Sequence, residues 1–232
     1  MKTAFYAKLH RKLRRGFTLM ELMFVVSALA VLVVVLYPVY QRSSGESYRD
    51  SCFSNLKQIG LAVAQYAQDN AERFPLASVN NKGYSQDSPY NQPYGWADAI
   101  FPYLRTIVVM HCPSESSSVS RNPSQSGFTD YFYNHNLSGV ERFTIECWGC
   151  TVMASDGNDG LDKTDARYSK TDLPVSWRKD RSSPSWRHVG AGRDSSVNIL
   201  FADGHCKAPH ENAFTAKPKT WATFSLHGGH HH

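Results

Sequence analysis

The stretch RRGFTLMELMFVVSALAVLVVVLYPVY, residues 14–40, decides how the rest of the chain is read. Its last 19 positions, 22–40, hold only Ser27 and Pro38 outside the apolar set. As a helix rising ~1.5 Å per residue, that length crosses the hydrocarbon core of a bilayer. Ahead of it stand Lys2, Lys8, Arg11, Lys12, Arg14 and Arg15, with no acid among residues 1–16. Such a basic cluster stays cytoplasmic and leaves the remaining chain outside. A secretory signal would carry a shorter apolar region followed by a small-residue cleavage site. Here the small residue, Gly16, comes before the apolar run.

The formal charge of +5 over 232 residues does not describe a nucleic-acid-binding surface. Without the six basic residues of the leader, 19 basic residues face 20 acidic ones, a net of −1. With 41% hydrophobic and 19% charged residues, the chain is neither a disordered tail nor a multi-span membrane protein.

Glu21 is the anomaly in the apolar run. An acid one turn into a membrane helix costs several kcal/mol unless it is paired. A cut between Gly16 and Phe17 would place a new α-ammonium four residues from Glu21, where the two charges compensate within one chain or between neighbours. A glutamate snorkelling at the membrane edge is the simpler alternative, and it leaves the Arg-Arg-Gly-Phe junction unexplained.

On these residues the chain resembles the class III signal of type IV pilins and of the pseudopilins of type II secretion. The matching positions are Gly16, Phe17, Thr18, Leu19 and Glu21, with Pro38 at the helix-kinking proline of that family. The resemblance implies cleavage after Gly16 by a prepilin peptidase and methylation of Phe17. It also implies assembly through Phe17, Glu21 and Pro38, with Glu21 neutralising a neighbour's N-terminal ammonium. The implied partners are copies of the same chain in a helical filament, the prepilin peptidase, the inner-membrane assembly machinery, and the membrane itself before assembly. The implied location is the inner membrane for the precursor, then an extracellular filament.

Past the membrane the helix continues. Cys52, Leu56, Ile59, Val63 and Tyr66 recur at helical steps, and Pro75 requires an end before it. Residues 42–45, Arg-Ser-Ser-Gly, are its weak point. Residues 75–96 read as a surface loop and 96–104 as a short helix. Residues 107–112, 128–134 and 143–154 read as strands by their β-branched and aromatic content, with 114–127 and 155–187 as loops. Residues 197–202 and 205–208 form a hairpin about Asp203-Gly204, expected as a type I′ turn. The expected fold is α+β: a long N-terminal helix packed on a small antiparallel sheet with long loops. Its parts are a cleaved leader (1–16), a transmembrane and filament-core helix (17–40), an amphipathic continuation (41–74) and a globular domain (75–232). The resemblance extends into that domain at residues 51–75, at His111-Cys-Pro-Ser, and at Arg187-His188 followed by FADGH at 201–205, which look like elements of large pilin-like proteins from environmental bacteria.

Two kinds of site stand out. Asp156, Asn158, Asp159 and Asp162 sit in a Gly-rich segment and offer oxygen ligands for a structural calcium ion; a solvated Asx-rich turn is the competing reading. Cys52, Cys112, Cys147, Cys150 and Cys206 all lie on the side where disulfides are permitted, and their odd number leaves one thiol over. Cys147-Trp-Gly-Cys150 reads as a redox pair, a metal half-site or a local bridge, with a structural bridge favoured. His188, Asp203 and His205 invite a catalytic reading, but no nucleophile motif or phosphate loop accompanies them, so no enzyme is expected. The function expected is that of a structural subunit of a type IV pilus-like filament. The alternatives are a type II secretion pseudopilin, a minor tip pilin, or a membrane-anchored surface-binding module.

Overall fold

The computed structural model describes residues 18–79, 94–115, 118–157, 162–172, 188–189, 195–209 and 224–226, with the side chains of 38–39, 41–46, 189 and 195 left aside. The chain divides into two compact units, residues 1–41 and 42–232. One helix, α1 (Leu19–Asp69), contributes to both, and its backbone stays helical through residues 42–45.

In the first unit, Leu19–Tyr37 is long and apolar enough to cross a membrane, and its side chains are exposed throughout. The start of α1 is a reciprocal cap. Thr18 Oγ1 accepts from Glu21 N–H at 3.2 Å, while the Glu21 carboxylate accepts from Thr18 N–H at 3.4 Å. This is the Thr-x-x-Glu capping box, which satisfies donors that a helix start otherwise leaves orphaned. Ser27, the polar intruder, returns its hydroxyl to Phe24 C=O at 2.8 Å, so it exposes no unpaired donor.

In the second unit, the expected stripe is the buried face of α1. Cys52, Leu56, Ile59 and Val63 are inaccessible to solvent, and Tyr66 packs against them. Gly60 permits the closest approach to the sheet, since a Cβ there would stand 3.0 Å from Leu200 Cδ1. The helix ends in a left-handed turn at Ala71 (φ 52°) and Glu72 (φ 57°), with Glu72 N–H donating to Ala67 C=O at 2.8 Å.

Among the described residues, five strands form one sheet in the order β3-β1-β2-β6-β7: β1 Tyr131–Asn134, β2 Val152–Asp156, β3 Ser169–Lys170, β6 Ile199–Phe201 and β7 Cys206–Lys207. A separate ladder pairs β4 (His188–Val189) with β5 (Ser195–Ser196). The fold is α+β, but the sheet is mixed where an antiparallel one was expected. The β3 strand, inside the segment expected as loop, runs parallel to β1 through Tyr133↔Ser169. The reason is the path after β2. The chain leaves beside the start of β1, where Thr164 C=O accepts from Phe128 and Thr129, and it then enters the edge from that same end.

Both sheet faces are buried. Tyr131, Tyr133, Ala154 and Leu200 join the α1 side, while Phe132, Val152, Ile199 and Phe201 pack on the other with Tyr168 and Phe224. Alternation along the strands sorts the two sets, and a register shift between Val152 and Ala154 turns Met153 and Ala154 together toward α1. Burying each large apolar side chain stabilises by roughly 1.5–3 kcal/mol, so this two-sided core anchors the domain.

Four local expectations are corrected. Residues 107–112 form a 3₁₀ turn, Ile107–Met110, capped by Thr106 Oγ1 accepting from Val108 N–H at 3.3 Å, with Val109 and Met110 buried. Residues 96–104 split into α2 (Trp96–Ala99) and a 3₁₀ turn, Phe101–Tyr103, because Pro102 lacks the donor a longer helix needs. Residues 143–154 are strand only from Val152, with a 3₁₀ turn, Arg142–Thr144, before it. The terminal hairpin forms, but only Gly204 adopts positive φ (88°). Gly204 N–H donates to Phe201 C=O and Phe201 N–H to His205 C=O, both at 2.9 Å, which is a three-residue loop with a glycine bulge instead of a type I′ turn.

Candidate functional site

The β-branched segment after α2, residues 100–111, brings Cys112 to the helix. Asn55 Nδ2 on α1 donates to His111 C=O at 2.9 Å, and Cys52 and Cys112 are joined in a disulfide across 60 positions of sequence. The Cys112 backbone is held from behind by Asp130, whose Oδ2 accepts from Cys112 N–H at 2.9 Å and lies 3.4 Å from His111 Nδ1.

Beside the bridge, β2 ends at Asp156 and β4 begins at His188. Asp156 Oδ2 accepts from Asn198 N–H at 2.7 Å and stands 3.1 Å from His188 Nε2. That same ring nitrogen is 3.7 Å from Cys112 Sγ, and the other, Nδ1, is 3.3 Å from Ser114 Oγ. Ser196 Oγ donates to His188 C=O at 3.1 Å, tying β5 to the site. Cys52, Cys112, Asp156 and His188 are all buried, and their ligand atoms lie within 4.8 Å of one another.

A second polar group lies at the terminal hairpin. Asp203 Oδ1 and His205 Nδ1 are 2.5 Å apart, the His205 ring stacks on Phe201 at 4.4 Å, and Asp203 N–H donates to Trp148 C=O. Cys147 and Cys150 form a local disulfide around that tryptophan, one of the three readings the spacing left open. Cys206 is the remaining thiol and is half-buried; burial pushes it up to about 12, against a lesser downward pull from Lys57.

Of the residues expected to hold calcium, the described Asp156 and Asp162 engage different partners. Asp156 faces His188, whereas the Asp162 carboxylate accepts from Lys170 Nζ at 3.0 Å and from the Tyr168 hydroxyl. Asn158 and Asp159 lie outside the described residues, as do Gly16, Phe17 and Arg187. Glu21 lies in the first turn of α1, at the head of an exposed apolar helix, where its carboxylate accepts from Thr18 N–H. Pro38 lies within α1.

The association of Asp156 with His188 and the Cys52–Cys112 bridge was missed from sequence. The Cys-Pro-Ser and Arg-His elements marked two of its corners, but nothing in their spacing joined them to Asp156, the first residue of the segment expected to bind calcium, or to Cys52.

Residues 49–125 match a family model described as "Protein of unknown function (DUF1559)", and residues 11–37 match the "Prokaryotic N-terminal methylation motif". The first match takes in Cys52, Cys112 and Ser114 and stops short of Asp156 and His188. No curated protein and no solved structure matches the chain significantly. The chain thus carries a prokaryotic N-terminal methylation motif that runs into an exposed apolar helix of bilayer-spanning length, the signal of a membrane-anchored precursor and a feature shared with pilin-like and pseudopilin-like proteins.

Proposed function

We propose that the protein is a structural, non-enzymatic subunit of a type IV pilus-like extracellular filament, cut after Gly16 and assembled through its N-terminal helix. The observation that carries this reading is Leu19–Tyr37, an apolar helix of bilayer-spanning length whose side chains are exposed, with Glu21 at its head. Lipid covers such a surface before assembly, and the same surface on neighbouring subunits covers it afterwards. Glu21 then meets the Phe17 ammonium of a neighbour in a low-dielectric bundle, where an unpaired charge is costly and a paired one sets axial register.

Shearing appendages from cells and labelling them with an antibody to residues 75–232 tests the proposal. Filaments labelled along their length support it. Protein retained in the membrane fraction, with no labelled filament, moves the assignment to a pseudopilin or minor tip subunit.

A further inference from the structure

The second unit contains a constellation that filament assembly does not use. Two sulfurs, one imidazole and one carboxylate converge where α1, the Cys-Pro segment, β2 and β4 meet, and all four side chains are buried. An apolar core has no need of such a set. The carboxylate is also incompletely satisfied: Asp156 Oδ2 serves Asn198 and His188, but Asp156 Oδ1 is buried without a hydrogen-bond partner. A buried carboxylate oxygen left in that state is expensive, and a cation relieves it.

We propose that, when the Cys52–Cys112 bridge is in its dithiol form, Cys52, Cys112, Asp156 and His188 bind a zinc-class divalent ion. In a four-coordinate zinc site, bonds of ~2.3 Å to sulfur and ~2.0 Å to nitrogen or oxygen set ligand–ligand edges of roughly 3.3–3.8 Å. Two edges are already near that size, His188 Nε2 to Cys112 Sγ at 3.7 Å and His188 Nε2 to Asp156 Oδ2 at 3.1 Å. The edge that forbids binding is the covalent S–S bond. A dithiol reductant supplies two electrons and two protons to it and is itself oxidised to a disulfide. The two thiols then release two protons to solvent as the ion takes both thiolates.

The surroundings suit this use. Ser114 Oγ, at 3.3 Å from His188 Nδ1, orients the ring from behind, and Asp130 fixes the Cys112 backbone. Two thiolates select a zinc-class ion over calcium or magnesium, which take oxygen donors. Bridge and ion are therefore alternative clamps of one junction: the bridge ties α1 to the Cys-Pro segment, and the ion also ties in β2 and β4.

The test uses the full chain in detergent micelles, carrying Cys147→Ser, Cys150→Ser and Cys206→Ser so that Cys52 and Cys112 are its only thiols. Cobalt(II) is titrated into the reduced and oxidised forms. One cobalt per reduced chain is expected, with thiolate charge-transfer and intense tetrahedral visible bands that zinc(II) bleaches, and no such bands in the oxidised form. The C-terminal histidines cannot produce thiolate bands. His188→Ala and Asp156→Asn each weaken binding at least about tenfold. Absence of thiolate bands in the reduced chain, or unchanged affinity in both variants, overturns the proposal. If His188→Ala fails to fold, His188→Cys is read instead: a third thiolate must raise the charge-transfer intensity, and unchanged intensity overturns the site.

Discussion

Asp156 and His188 meet at 3.1 Å, both fully buried, although 32 positions of sequence separate them. One ends a central strand and the other begins a two-residue ladder outside the main sheet. The contact therefore holds the β4–β5 ladder to the core, with Ser196 and Ser114 as its outer hydrogen bonds.

Removing one partner leaves a buried polar group stranded. In the disulfide-bonded form, His188→Ala is expected to destabilise the second unit by about 1–3 kcal/mol, the cost of leaving a buried polar group without its partner. Adding Asp156→Asn to it should recover part of that loss, because the stranded carboxylate goes too. Denaturant unfolding followed by tryptophan fluorescence measures both. A double variant as damaged as the sum of the singles would count against the pairing.

The two disulfides should differ in weight. Cys52–Cys112 spans 60 positions and Cys147–Cys150 only 3. Loop-closure entropy assigns about 4 kcal/mol to the first and about 2 kcal/mol to the second. Paired Cys→Ala variants compared by thermal melting should thus show the larger fall for Cys52 and Cys112. An equal or reversed order would show that the chain-entropy account does not govern this domain.

Cys206 should be a slow thiol. Its ordinary value of 9.0 is raised to about 12, first by burial. At pH 8 its thiolate population is then about a thousandfold below that of an unperturbed thiol. Iodoacetamide labelling of the folded chain, read by mass spectrometry, should rise about tenfold per pH unit up to the alkaline limit of the fold. The folded value lies above the unfolded one, so stability linked to this proton is intact below pH 9 and is lost as pH rises toward 12. Cys206→Ala removes that dependence.

Glu21 has two separable jobs. Its bond to Thr18 caps α1, and its charge is proposed to pair with a neighbour's N-terminus. Glu21→Gln keeps an acceptor for the capping box but removes the charge. Membrane insertion is expected to persist while filament yield collapses; Thr18→Val, which loses only the cap, should still assemble. Fractionation and electron microscopy of sheared cells distinguish the two, and normal filaments from Glu21→Gln would remove charge pairing from the account.

What was legible in the sequence was whatever local periodicity or a contiguous motif writes down. The apolar run, the buried stripe of Cys52, Leu56, Ile59 and Val63, and the hairpin around Gly204 follow from spacing alone, because each depends on neighbours a few residues away. The 3₁₀ turn at Ile107–Met110 did not, since its β-branched composition suits a strand, while the turn is started by the Thr106 side-chain cap on Val108 N–H. The parallel β3 was hidden for a similar reason: two residues carry no periodicity, and their direction was set by the end of the sheet from which the chain returned. Residues 11–37 carry the N-terminal methylation motif in full, because such a motif is a contiguous string of residues that needs no fold to be read. The pairing of Cys52 with Cys112, and the setting of Asp156 and His188 beside that bridge, belong to the tertiary structure alone. They require α1, β2 and β4 to be packed first, and the packing free energy of the core, not any spacing between those four residues, brings their side chains to one point.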